Sequence, residues 1–537
     1  MSAWLSILTR TGNIGPGSPG RGGSDGASAR PHRWRRCDIF LGVLILLLLL
    51  GGCAQESGTA IRFGVASAPQ NLDPRFATDA ASARINRLLY QRLVDFDDRG
   101  EAVPALATWE VLSATHYRFR LKPQRRHFHD GTRLTARDVE ATYGFILDPD
   151  NASPHRATLE LIDALKLIDD DTIDFLLKRP DRLFPAYLVI GIVPAARVAA
   201  GFPLNETPVG SGPFRYIARP RPGRLILERS DDGQRFEFVH VADPTVRVLK
   251  LLRGEIDLLQ NDLPAELIGW LQARPQVKVS QAPGTNYSYL GFNLSDPVTG
   301  QLAVRQAVAQ AIDRQAIIRY VLGGGARTAS ALLPADHWAG HPDIRPVAYD
   351  PEQARRLLAG LGYTEQHPLA LTYKTSSDPL RIRLATVIQD QLGRVGFRVR
   401  IQSYDWGTFY GDIKNGRFQV YSLAWVGVHT PDIFRYVFHS QSLPPQGANR
   451  GRFHDPQTDE LIAQAELAQD YQVQADLYRR LQQRLARLIP YVSLWYEDHV
   501  YAARADINGY RLAPDGNYDG LTAVHRSVAA TTLASTH

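Results

Sequence analysis

Hydrophobic and polar positions alternate without a break from His116 to Lys122, placing Tyr117, Phe119 and Leu121 on one face and His116, Arg118, Arg120 and Lys122 on the other. A period of two predicts a half-buried strand. Asp130-Gly131 then reads as a tight turn, and Thr135 stands where it would N-cap a helix running through Asp138 and Val139. Elsewhere the period is close to 3.6. Asp350-Pro351-Glu352-Gln353 combines a cap, a proline at the first helical position and a capping-box Gln, with Leu357, Leu358 and Leu361 as the apolar stripe and Gly360 and Gly362 as the end. From about Tyr471 to Leu488, Leu477, Leu481, Leu485 and Leu488 recur at i, i+4, i+8 and i+11, and Pro490 stops the helix. Gly323-Gly324-Gly325 reads as a helix-terminating turn. Strand and helix patterns are mixed throughout, which predicts an α/β protein.

One apolar stretch fits neither period. Ile39 to Leu50 is a run of 12 residues led by Arg33, Arg35 and Arg36 and followed by Gly51-Gly52-Cys53. A spanning helix needs about 20 apolar residues, so the pattern predicts an export signal over residues 1–52 rather than a permanent span. Leu50-Gly51-Gly52-Cys53 resembles a bacterial lipobox, which implies lipidation of Cys53 after cleavage in front of it. A multiply acylated terminus holds a soluble body at a membrane surface. The alternative is a conventionally secreted chain in which Cys53 is incidental.

Cleavage there leaves 485 residues, enough for two or three lobes. The formal charge of +6 also shrinks, because six arginines and two aspartates of the leader carry +4 of it. A body at +2 gives no electrostatic reason to expect nucleic acid as a partner. Cys37 and Cys53 are the two cysteines of the chain, so disulfides and thiolate metal clusters are excluded from the mature body. No zinc-protease His-Glu-x-x-His, Gly-x-Ser-x-Gly elbow or phosphate-binding loop occurs. His127 and His129 beside Asp130 are expected to face solvent at a strand end rather than to bind metal. No catalytic residue, metal or cofactor is expected.

The segment Trp109–Tyr143, with its Tyr117-Arg-Phe-Arg-Leu-Lys122 strand, Phe128-His-Asp-Gly131 turn and Thr135-Ala-Arg-Asp138 helix start, resembles the signature of the family 5 extracellular solute-binding proteins. Further segments look like the same family in the same order: Ser67–Pro74, Pro208–Phe214, Gly254–Leu258, Leu290–Asn293 with Arg305–Arg314, and Tyr349–Leu358. Together they extend over nearly all of residues 60–515. The resemblance implies a periplasmic-binding-protein-like type II fold, two lobes closing on a ligand with a third attached. Lobe I would comprise 54–91, 180–283 and 496–537, lobe II 92–179, and lobe III 284–495. It also implies the substrate-binding component of an ABC importer, lipid-anchored at a membrane in the periplasmic space. Its partners would be a peptide or small-molecule ligand, a permease and, through it, ATPase subunits.

Within that pattern Trp406 and Trp425 match tryptophans that line side-chain pockets in peptide-binding relatives; the alternative for each is an ordinary core position. Tyr287, Tyr289 and Asn293 alternate on an expected strand after the crossing into lobe III. Asn449 and Arg450 are candidates for ligand carboxylate or amide contacts, as guanidinium pairs well with carboxylates. One departure bears on specificity. Peptide binders carry an Asp three residues after the tryptophan matched by Trp425, pairing with the ligand ammonium, and this chain has Val428. Ser422 likewise replaces an arginine three residues before Trp425. The nearest acid is Asp432, followed by Arg435, the two also fitting a local i, i+3 pair. A non-peptide ligand (nickel chelate, opine or oligosaccharide), an exported hydrolase and a signalling or folding receptor are the competing functions.

Overall fold

The computed structural model describes residues 60–527. The leader and Cys53 lie outside the described residues.

Local signals produce the elements they announce. His116–Leu121 is a strand with Tyr117, Phe119 and Leu121 buried. It pairs antiparallel with Ala107–Ser113 and Thr172–Leu177, and Ile162–Asp169 completes a four-stranded sheet. The helix Ala136–Leu147 covers it, packing Val139, Tyr143 and Ile146 on Phe119, Ile173 and Phe175. Its start is fixed by Asp138, whose carboxylate accepts from the Thr135 backbone N–H at 2.7 Å. This core also takes in Phe184, Leu188 and Ile192, beyond the expected lobe boundary at 179. Helix Pro351–Gly360 begins at Asp350, which accepts from Gln353 N at 2.9 Å, and Tyr471–Leu488 buries Leu477, Leu481 and Leu485.

The second, 11-stranded sheet is nonlocal. One half aligns Ile61–Val65 in parallel with Arg235–His240 and Leu258–Gln260, then continues antiparallel through Arg224–Arg229 and Phe214–Arg221. The other half sets Leu369–Ser376 parallel to Phe397–Tyr404 and to Val420–Trp425. Two long strands, Val277–Phe292 and Tyr491–Arg504, run antiparallel to each other and join the halves. The expected crossings at 283/284 and 495/496 fall inside these strands. Their ladder slips between Ala282 and Asn286, where a Cβ on Gly284 would lie 2.3 Å from the Glu497 carbonyl. Separate apolar cores sit on the two halves: Phe63, Leu227, Phe238 and Leu258 in one, Phe292, Val308, Leu371, Ile388 and Trp495 in the other.

The His127 and His129 expectation needs correction. His127 is exposed, but His129 turns its Nε2 onto the Gly212 carbonyl at 3.0 Å, and burial lowers its pKa.

Candidate functional site

Side chains of consecutive same-face residues on Val277–Phe292 build an aromatic wall. The Tyr287 and Tyr289 rings stack 5.8 Å apart, and Tyr289 lies 4.0 Å from the Tyr491 ring and 6.4 Å from Trp425, nearly parallel to both. Trp425 ends the strand Val420–Trp425, whose register sets it opposite Tyr287. Arg450 closes the wall, its guanidinium 4.8 Å above the Trp425 ring and 5.4 Å above Tyr410. Nη1 donates to the Tyr289 hydroxyl at 3.2 Å and Nη2 to the Tyr410 hydroxyl at 3.1 Å. Trp406, 59% exposed, stacks on the outer face of Tyr410 at 5.4 Å. Tyr287, Tyr289, Trp406, Trp425 and Arg450 therefore come together, with Tyr410 as a member the sequence did not announce.

The wall is polar where it is buried. Arg450 is 7% exposed and forms no ion pair among the described residues, and the Trp425 indole N–H is buried without an acceptor. Burial, with the Tyr289 hydroxyl adding, pushes the Tyr421 and Tyr491 phenols well above the usual value, so both remain neutral donors.

Four candidates lie elsewhere. Asn293 donates to the Gly416 and Phe418 carbonyls, each at 3.2 Å. Asn449, 1% exposed, donates to the His439 and Phe453 carbonyls and accepts from Phe453 N at 2.8 Å. Both amides hold irregular backbone in place. The Asp432–Arg435 pair does not form. Arg435 reaches Glu466 at 2.6 Å, while Asp432 takes the Thr430 hydroxyl, and burial pushes its carboxyl up to about 6. Val428 packs against the aromatic core.

Beside this wall is a cavity of about 510 Å³, within the roughly 300–1,000 Å³ typical of small-ligand sites. One side is the helix Ala80–Leu89. It is capped by Asp79, which accepts from Ser82 N at 2.9 Å, and buries Ile85, Leu88 and Leu89 while Arg84 and Arg87 turn outward to the cavity. Opposite are Val426, Gly427 and His429, directly after Trp425; Val189–Gly191 and the turn bearing Asp515 and Asn517 complete the lining.

Charges here are largely matched. Arg87 pairs with Asp519 at 2.6 Å and Asp95 at 3.0 Å, and Arg92 with Asp95 at 2.6 Å. Burial alone would raise the Asp95 carboxyl, but Arg92 and Arg87 outweigh it and hold the group below its ordinary value. His429 stacks on Phe96 at 4.7 Å, with Nε2 3.7 Å from Asp515. Burial lowers its pKa against the pull of Asp515, leaving a neutral imidazole at neutral pH. Sequence reasoning missed Arg84, Arg87, Arg92, His429 and Asp515. The two helix arginines look like a solvated face, and Pro514-Asp515-Gly516-Asn517 like any turn.

Among the described residues no helix is long and apolar enough to cross a membrane. The family model for bacterial extracellular solute-binding proteins, family 5 (middle region), matches residues 101–443. The chain is 26% identical over 492 residues to the dipeptide-binding protein of Escherichia coli K12, covering 84% of this chain and 91% of that one. Two solved structures share the fold. They are the oligopeptide-binding protein AppA of Bacillus subtilis with a nonapeptide (TM-score 0.74, 24% identity, 87% and 99% covered) and NikZ of Campylobacter jejuni with Ni(L-His) (TM-score 0.76, 22% identity, 87% and 99% covered).

Proposed function

The chain belongs to the family 5 bacterial extracellular solute-binding proteins, and on that premise we propose that it is the substrate-binding component of an ABC importer for a peptide or peptide-like solute. It captures the ligand outside the cytoplasmic membrane and delivers it to a permease driven by a separate ATPase. The observation that carries this reading is the 510 Å³ cavity, bounded by charged groups on one side and next to the Trp425–Arg450 wall on the other. Flat indole and phenol faces accommodate varied side chains, and a guanidinium without a counter-charge accepts an acidic group. The dipeptide- and oligopeptide-binding names of the relatives point the same way.

The three-lobe division, with closure about the 277–292 and 491–504 strands, and the lipid anchor at Cys53 belong to this proposal. So does a role in binding rather than catalysis, in keeping with the solute-binding family. A second reading keeps the receptor role with a non-peptide ligand such as a metal chelate. Val428 favours it, and so does the Ni(L-His) complex of NikZ.

The test is native mass spectrometry of the protein purified from its own cells without refolding, with released ligand identified by fragmentation. A co-purified peptide set supports the first reading. A single non-peptide mass replaces it with the second, and turnover of a peptide or ester by the pure protein overturns both.

A further inference from the structure

The hairpin formed by Phe214–Arg221 and Arg224–Arg229 carries arginines that the ligand cavity does not use. Its turn, Pro222-Gly223 with the glycine at φ +75°, sets Arg221 directly opposite Arg224. Like charges facing each other across a strand pair are destabilising. Arg224 is answered by Glu237 at 2.6 Å, while Arg221 forms no ion pair among the described residues. The ladder also slips between Ala218 and Arg221, and a bulge of this kind re-aims a side chain. Arg219 lies inside that slip. It is half-buried, its Nη2 is sealed from solvent, and its guanidinium has no hydrogen-bond or ion-pair partner among the described residues.

These three arginines line a cavity of about 260 Å³ that shares no residue with the larger one. Its floor is apolar, because Val65, Leu225 and Phe238 belong to the core against that half of the sheet. Ala68 and Pro69 form another wall, and His240 Nε2 ties that segment down by donating to the Ala66 carbonyl at 3.1 Å. No Asp or Glu lines the cavity. Its volume falls below the roughly 300–1,000 Å³ of sites that enclose a whole organic ligand, which suits a small charged head group. Burial lowers the Arg219 pKa, yet a guanidinium keeps its charge throughout the physiological range. A cation without a partner is costly to bury, and an anion that returns charge-assisted hydrogen bonds offsets that cost. The guanidinium fork matches phosphate oxygens two at a time, and a phosphate ester presents enough of them to serve both unpaired arginines.

We propose that this cavity is a second binding site, for a phosphate ester, in which Arg219 and Arg221 hold the phosphate oxygens and the floor of Val65, Leu225 and Phe238 receives the carbon attached to them. The same chemistry occurs in a phospholipid head group and in a soluble sugar or glycerol phosphate.

The test uses the full chain carrying Cys53→Ser, so that no acyl anchor contributes, at fixed ionic strength. Calorimetry with glycerol phosphate, and with glycerol as the neutral control, should show saturable binding of the ester alone. Arg219→Gln should weaken it about 10- to 100-fold, the range for hydrogen bonds to a charged group. Arg221→Gln, at an exposed position, should weaken it in the same direction. Co-sedimentation with phosphatidylglycerol vesicles separates the two sources. Vesicle binding that Arg219→Gln abolishes supports the site and assigns it to a lipid head group; binding of glycerol phosphate without vesicle binding supports it and assigns a soluble ester. If neither is bound, or if binding is unchanged in Arg219→Gln, the proposal is overturned. The comparison of glycerol phosphate with glycerol needs neither arginine variant to fold.

Discussion

Replacing Asp181 by Asn should flatten the pH dependence of stability between pH 5 and 7.5. Asp181 follows the strand Thr172–Leu177 and is 2% exposed. Its carboxylate accepts from Leu183 N at 2.9 Å and from the Tyr187 hydroxyl at 3.2 Å. Burial, helped by nearby Glu466 and only partly offset by Arg179 and these hydrogen bonds, pushes its pKa up to about 6. An unperturbed Asp titrates near 3.9. The folded pKa is the higher one, so folding is favoured by the protonated form. The contribution is fully present below about pH 4 and is lost as pH rises through 6. A shift of about 2 units corresponds to about 3 kcal/mol in full, of which about 1.4 kcal/mol falls between pH 5 and 7.5. Asparagine retains an acceptor for Leu183 N–H and removes the titration. Urea unfolding of both proteins at the two pH values, followed by tryptophan fluorescence, should show the wild type gaining about 1.4 kcal/mol more than the variant at the lower pH. Parallel profiles would show that Asp181 titrates as an exposed acid and that the reasoning from burial is wrong.

Trp425→Ala removes a half-buried ring from the wall and should weaken ligand binding by at least ~10-fold in calorimetry with little change in thermal midpoint; a large loss of midpoint with unchanged affinity would make Trp425 a core residue. Glu497→Gln breaks the 2.8 Å pair with Arg381 and weakens the bond from Ser288 on the facing long strand. It should cost about 2 kcal/mol in urea unfolding, and no cost would mean that the pair is fully solvated. Cys53→Ser should move the protein from the membrane fraction to the soluble fraction, and its retention in membranes would remove the lipid anchor.

The legible parts of the fold are those whose causes are local. The alternation at 116–122, the Thr135–Asp138 start and the leucine stripe of 471–488 each need only a few neighbours in sequence, and each element formed within a residue or so of its expected place. Val277–Phe292 gave only the Tyr287, Tyr289 alternation at one end. Pro283-Gly284 interrupts its pattern, and its partner begins near residue 491, so its length follows from a nonlocal ladder. The site divides along the same line. Large aromatics and Arg450 converged because their bulk and planar charge suit few other environments. For Asn293 and Asn449 the sequence offered a ligand contact but not the loop carbonyls that both amides hold, because an amide that binds a ligand and one that satisfies loop carbonyls are the same in sequence.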